Sequence, residues 1–311
     1  MRVVFMGSPR FAIPSLERLV LEGYEVVAVY TQPDRPAGRG KATVAPPVKE
    51  AALRLGIPVF QPEGLRSPEA LARLAELRGD VIVVCAYGQI LPGPVLDIPP
   101  YRCVNVHFSL LPRHRGAAPV AAAILAGDEF TGVSIMLVEK RLDTGPLLAA
   151  AAVPVLAWDN TGTLMEKLSL VGAAMLLEAL SGWTRGEITP RPQDESAATY
   201  FREVKKDAGK IDWSRPAVEI WRMVRAYNPW PGGYTTWRGR QLKILEAVVP
   251  TGEASPGEGR VMDLEARGAA FGIGTGEGVL GVLRVQLEGK RAMTAAEFLR
   301  GQRDFIGDIL K

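Results

Sequence analysis

Cysteine and histidine are nearly absent from this sequence. Cysteine occurs only at Cys85 and Cys103, and histidine only at His107 and His114. Neither cysteine belongs to a CxxC pair or has a histidine at ligand spacing, and the two histidines are separated by a proline-containing loop. No metal site and no disulfide scaffold are expected. Each cysteine instead abuts a β-like apolar run, Val81 to Cys85 or Cys103-Val104, and reads as a buried core thiol. No apolar run approaches the ~18 residues needed to span a bilayer, and Met1-Arg2-Val3-Val4-Phe5-Met6-Gly7 has no signal-peptide h-region. A cytoplasmic protein without a membrane partner is expected. The first strand turn, Gly7-Ser8-Pro9, lacks the Gly-x-Gly-x-x-Gly that brings a pyrophosphate onto a helix N-terminus, which argues against a nicotinamide dehydrogenase. Asparagine is scarce (Asn105, Asn160, Asn228) and arginine outnumbers lysine, which fits heat adaptation and a GC-rich genome equally.

What is present divides into two regions of different character. The net charge is +3, but residues 205–311 hold 17 Lys+Arg against 13 Asp+Glu, leaving 20 against 21 for residues 1–204. The basic second part is compatible with a polyanionic partner and equally with a solvated basic surface. In the first part, short β-branched runs alternate with amphipathic stretches: Val3 to Met6, Val26 to Tyr30, Val81 to Cys85, Cys103 to His107 and Val133 to Val138. This alternation predicts an α/β fold with a mostly parallel sheet. A helix follows Asn160, capped by Thr161 or Thr163, with Leu164, Leu168, Val171 and Met175 on one face.

The polar, proline-bearing stretch 187–205 reads as a linker between a domain over 1–186 and a smaller one over 206–311. In the smaller domain a helix with Ile220, Trp221 and Val224 on one side precedes candidate strands at Leu242–Leu245, Gly259–Leu264 and Ala269–Ile273, and a period-two run in which Leu283, Val285 and Leu287 share a face. A small antiparallel barrel fits this pattern. Barrel turns also explain Gly272-Ile273-Gly274-Thr275-Gly276 better than a phosphate loop. Four of the six tryptophans fall between Trp213 and Trp237, open to two readings, a base-stacking platform or core packing.

Asn105 and His107 lie two apart in a strand-like run and therefore project from the same face. The loop after them places the pair at a strand's carboxyl end, where open α/β sheets take ligands. An imidazole that accepts a proton near neutrality and an amide that donates to an oxyanion are the minimum for acyl transfer to an amine. Asp143, in the loop leaving the Gly132–Val138 run, is the candidate carboxylate to orient the base. Spacing alone leaves open a satisfied core histidine, a strand-end amide and an Asp-Thr-Gly turn.

The Asn105-Val106-His107 strand, the Ser109-Leu110-Leu111-Pro112 loop and the Gly132–Gly145 segment resemble the catalytic signature of the folate-dependent formyltransferases. Over nearly the whole chain the sequence is similar to the branch of that superfamily that acts on methionyl-tRNA. Thr31 to Lys41 looks like the loop with which that branch contacts the acceptor arm of initiator tRNA. Ile211-Asp212-Trp213 and Arg225 to Gly232 resemble the start of its C-terminal domain. Phe108 and His114 depart from the family pattern, in which a small residue and a tryptophan are common at these places.

The resemblance implies a Rossmann-like formyltransferase fold with a second, OB-like β-barrel domain that assists tRNA binding. It implies 10-formyltetrahydrofolate as donor, methionyl initiator tRNA as acceptor, no metal and a monomer. Asn105, His107 and Asp143 would be catalytic, Ser109, Leu110, Leu111 and Pro112 folate-binding, and Arg35, Arg39 and Lys41 tRNA-binding. Two alternatives stay open: a folate enzyme acting on a small amine or water, and a noncatalytic RNA-binding protein.

Overall fold

The apolar runs become strands Arg2–Gly7, Glu25–Tyr30, Val81–Cys85, Cys103–His107 and Phe130–Leu137 in a computed structural model that describes residues 1–37 and 42–311. Val59–Phe60 and Leu147–Pro154 complete a seven-stranded sheet. From one edge its order is Leu147–Pro154, Phe130–Leu137, Cys103–His107, Val81–Cys85, Arg2–Gly7, Glu25–Tyr30, Val59–Phe60. Val81–Cys85 is buried at every position, which is why it reads as a continuous apolar run and not as an alternating one. Pairing is parallel from Val59–Phe60 through to Cys103–His107. Phe130–Leu137 runs antiparallel to both of its neighbours. The chain starts mid-sheet at Arg2–Gly7, builds outward to one edge, then returns to the other side of that first strand at Val81–Cys85. Such a reversal opens a crevice beyond the carboxyl ends of the two strands, the usual ligand position in open α/β sheets.

The chain divides into two units, one of residues 1–119, 130–154 and 165–201 and one of 120–129, 155–164 and 202–311. Much of the 187–205 stretch, expected as a linker, thus lies within the first unit, where Tyr200–Phe201 pairs in parallel with Arg115–Gly116. The long helix Thr161–Thr184 is capped by Asn160 and not by a threonine side chain on the helix N–H groups. The Asn160 side-chain Oδ1 accepts from the Thr163 N–H at 3.0 Å, and the Thr163 hydroxyl accepts from the Asn160 N–H at 3.1 Å, the reciprocal logic of a capping box. Its fully buried leucines are Leu164, Leu168, Leu176 and Leu180. Val171 and Met175, expected on that stripe, are only half-buried.

In the second unit, strands Gly233–Trp237, Arg240–Val248, Val279–Leu287, Ala269–Gly274 and Val261–Ala266 form an antiparallel sheet in that order, with Met293–Thr294 beside Val279–Leu287. Among the described residues the two end strands do not pair, so the sheet does not close. Trp237, Phe298 and Phe305 meet edge to face in its core, with centroids 4.9 to 5.7 Å apart, a favoured aromatic geometry. Trp213 is buried as well, whereas Trp230 is 58% exposed. Leu283 does not share a face with Val285 and Leu287. Irregular pairing around Glu246–Arg284 sends both Val282 and Val285 into the core and turns Leu283 toward Leu264, Ala269 and Val279, as a β-bulge does.

Both cysteines are fully buried, and burial pushes each thiol pKa up to about 12. Thiolate is the reactive form, so neither should label with a thiol reagent in native protein at neutral pH, and both should label after denaturation. Rapid native labelling of either one would contradict its place in the core.

Candidate active site

Strand Cys103–His107 sets Asn105 between Val84 and Met136, and His107 opposite Ser134. Both side chains border a cavity of about 420 Å³ at the carboxyl ends of the central strands. Its apolar wall includes Phe11, Val84, Leu91, Met136 and Val138, its second wall is the Ala86–Leu91 loop, and Glu139 to Asp143 form a third. The expected trio of Asn105, His107 and Asp143 therefore shares one cavity. Among the described residues no hydrogen bond engages the Asn105 side chain, which leaves its amide available to a ligand in the cavity.

His107 is 6% exposed. Its Nε2 lies 3.1 Å from the His114 carbonyl. A carbonyl only accepts, so Nε2 carries the hydrogen and the neutral ring keeps its lone pair on Nδ1. Nδ1 faces Asp143 Oδ1 at 3.7 Å, too far for a hydrogen bond but close enough for strong charge coupling. Burial pushes the imidazole pKa below its ordinary value, while the Asp143 carboxylate and the His114 carbonyl pull the other way without cancelling it. The ring is thus a neutral acceptor whose proton, once taken up, is met by a carboxylate.

His114 lies in the left-handed region, at φ +57°, which histidine adopts more readily than most side chains; its backbone carbonyl fixes the His107 tautomer, and its N–H donates to the Thr199 hydroxyl at 2.8 Å. Asp143 also lies in the left-handed region, at φ +54°, which aspartate tolerates better than most side chains. Its Oδ2 accepts the Gly116 N–H at 2.8 Å.

Ser109, Leu110, Leu111 and Pro112, expected to line the folate pocket, are not in the wall of this cavity. The reason is visible in their hydrogen bonds. The Ser134 hydroxyl donates to the Ser109 carbonyl at 2.8 Å and accepts the Leu111 N–H at 3.1 Å, and the Ser109 hydroxyl donates to the Arg113 carbonyl at 2.7 Å. The loop is tied back onto the sheet and serves as the turn that returns His114 to His107. The lining that sequence reasoning missed, Phe11 and the Ala86–Leu91 loop, follows strands Arg2–Gly7 and Val81–Cys85. Its one available signal was position after strands flanking the reversal in strand order.

Arg35 is exposed and its Nη2 donates to Gln32 Oε1 at 3.2 Å. Gln32 is held in turn by its N–H on the Ser8 hydroxyl at 3.0 Å and by its Nε2 on the Tyr87 carbonyl at 3.2 Å. The base of this excursion is therefore anchored beside the cavity loop. Arg39 and Lys41 lie outside the described residues. Among the described residues there is no cluster of three or more metal-ligating side chains, and no helix is long and apolar enough to cross a membrane.

A family model described as formyl transferase matches residues 1–180, and one described as formyl transferase, C-terminal domain, matches residues 203–303. Similar curated proteins include a methionyl-tRNA formyltransferase of Roseiflexus castenholzii, 53% identical with 100% of this chain and 99% of that protein covered. Another, of Dehalococcoides mccartyi, is 51% identical, with 99% and 97% covered. Among solved structures, HypX from Aquifex aeolicus in complex with tetrahydrofolic acid is 19% identical with a TM-score of 0.62. It covers 98% of this chain, which spans about half (48%) of HypX. An N-formyltransferase from Helicobacter canadensis, in complex with folinic acid and dTDP-3-aminofucose, is 17% identical with a TM-score of 0.67, covering 90% of this chain and 98% of that one. The two structures share this chain's fold.

Proposed function

This chain belongs to the formyl transferase family, and from that premise we propose that it transfers the formyl group of 10-formyltetrahydrofolate to the α-amino group of methionyl initiator tRNA. The product, N-formylmethionyl-tRNA, serves translation initiation. The observation that carries the reading is a likeness to methionyl-tRNA formyltransferases that extends over both units at about half identity.

The chemistry fits the cavity. Its volume lies within the usual range for small-molecule sites, ~300 to 1,000 Å³, and its mostly apolar wall suits a flat pterin whose polar edge meets the backbone of the Ala86–Leu91 loop. The amine nitrogen attacks the formyl carbon and a tetrahedral oxyanion forms. The Asn105 amide donates to that oxygen, which costs little reorganisation because the strand already holds it. The proton released by the attacking nitrogen passes to His107 Nδ1, where Asp143 stabilises the imidazolium. Delivered from there to the folate N10, it lets the C–N10 bond break and tetrahydrofolate leave. Carbon is transferred in one exchange of C–N bonds, without a covalent enzyme intermediate.

Residues 1–186 are assigned the catalytic role, with the 187–205 stretch joining them to 206–311. The latter, read as an open OB-like barrel, assists tRNA binding, consistent with its excess of basic residues. Ser109 to Pro112 shape the folate site from behind the cavity wall. Arg35, Arg39 and Lys41 meet the acceptor arm, where cationic side chains neutralise phosphates. The enzyme acts as a cytoplasmic monomer.

Transfer of labelled formyl from 10-formyltetrahydrofolate to methionyl initiator tRNA tests this, with methionyl elongator tRNA, a small amine and water as parallel acceptors. Strong preference for the initiator is expected. Transfer only to water or the small amine would keep the chemistry and overturn the acceptor, and no transfer at all would favour RNA binding without catalysis.

A further inference from the structure

Asp143 is held at more points than the proton relay itself accounts for. Its carbonyl and that of Gly145 both accept from one donor, Gln193 Nε2, at 2.9 and 2.7 Å. The other end of that amide, Gln193 Oε1, accepts from Arg115 Nε at 3.1 Å and Nη2 at 2.8 Å. The Arg115 side chain is fully buried. It spends its remaining N–H groups on both oxygens of Glu195, at 3.1 and 2.8 Å, and on the Tyr200 hydroxyl at 2.8 Å.

The chemistry permits only one orientation of the Gln193 amide. Guanidinium nitrogens only donate and backbone carbonyls only accept, so the oxygen must face Arg115 and the nitrogen must face the loop. A buried arginine with all five N–H groups engaged is a rigid anchor. The residue after it, Gly116, donates its N–H to Asp143 Oδ2. Arg115–Gly116 thus grips the Asp143 carboxylate directly and its backbone through Gln193. A left-handed non-glycine residue is retained only when its surroundings over-determine it, and these contacts do so here.

On the reading that this site transfers formyl groups, we propose that Gln193, oriented by Arg115, is a positioning residue that holds the Asp143 carboxylate at its station beside His107 Nδ1. It touches no reacting atom. Its effect is exerted through the distance between the carboxylate and the imidazole.

Gln193→Met, neutral and of similar length, removes both ends of the clamp. Small displacements of catalytic groups cost up to ~100-fold in rate, so kcat should fall about 10- to 100-fold while KM for the folate and for tRNA stays the same. The His107 ring should also titrate at a lower pH, because retreat of Asp143 removes the facing group that raises its proton affinity. The other charged or titratable groups around it, His114, Glu139, Lys140 and Arg141, are not altered by the substitution. With only two histidines in the chain, imidazole NMR reads this titration directly and without turnover.

Unchanged kcat with unchanged His107 titration overturns the proposal. So does a loss of kcat accompanied by a lower Tm and an unmoved titration, which is a merely structural effect. If Gln193→Met does not fold, Gln193→Glu keeps an oxygen facing Arg115 and replaces the donor by a charged acceptor that the two loop carbonyls cannot bind. It should show the same loss of kcat at constant KM, and wild-type kcat in it overturns the proposal. Absence of formyl transfer by the wild-type chain overturns the underlying reading instead, while the NMR titration still decides the role of Gln193.

Discussion

His107→Ala is expected to lower kcat by about 100- to 10,000-fold, the range for loss of a general acid–base group, while folate affinity is retained. The expectation follows from the geometry around the ring. Nε2 is committed to the His114 carbonyl and Nδ1 opens toward Asp143, so one nitrogen anchors the ring and the other exchanges the proton. The pH dependence has a definite sign. Burial lowers the His107 pKa, so the neutral, accepting form persists below the ordinary histidine value of ~6.5, and the acid limb of kcat should lie below that value. His107→Ala should abolish the limb along with most of the rate. Stability moves in the same direction. A group whose folded pKa is depressed contributes stability that is fully present above its unfolded pKa and lost as pH falls through the folded one. Acidification should therefore destabilise the wild type more than the variant. Steady-state kinetics across pH, with folate binding measured in parallel, checks all of this, and a variant with near-normal kcat would remove His107 from the proton path.

Asn105→Ala should cost about 100- to 1,000-fold in kcat, or about 2.7 to 4 kcal/mol, the usual consequence of removing one oxyanion donor. The difference from His107→Ala lies in the pH profile. Asn105 does not titrate, so the acid limb should stay where it is in the wild type while the whole curve drops. Because the amide strengthens its bond only as the oxyanion develops, kcat and kcat/KM should fall together and KM should change little. A rise in KM at constant kcat would instead make Asn105 a ground-state binding group.

Legibility in the sequence followed physical locality. Val81–Cys85 announces itself because a strand buried on both faces is written as an unbroken apolar run. Leu147–Pro154 does not, since its Ala149-Ala150-Ala151-Ala152 core has weak strand preference and becomes a strand through pairing with Phe130–Leu137. The direction of that pairing was equally hidden, because nothing local distinguishes an antiparallel return from a crossover. In the site, Asn105 and His107 were readable from a period of two. The tautomer-setting carbonyl of His114 and the amide of Gln193 were not, because backbone groups and long-range clamps leave no periodic trace. Ser109 to Pro112 drew attention as a motif, yet their local hydrogen bonds turn them away from the cavity. The Ala86–Leu91 loop did the opposite, contributing a wall through the run Ala86-Tyr87-Gly88-Gln89-Ile90-Leu91, which no chemical pattern marks.

The position of the clamp along the chain sets an order of assembly during translation. All seven strands of the catalytic sheet have left the peptidyl-transferase centre once residue 154 is made, but the glutamine that steadies Asp143 comes 39 residues later, at 193. At ~5 to 20 residues per second, that interval is a few seconds. During it a nascent chain can hold the cavity's walls without the brace on its carboxylate. On the role proposed for Gln193, the full catalytic rate therefore comes late in the making of each new polypeptide, from a segment outside the strands and helices that build the sheet.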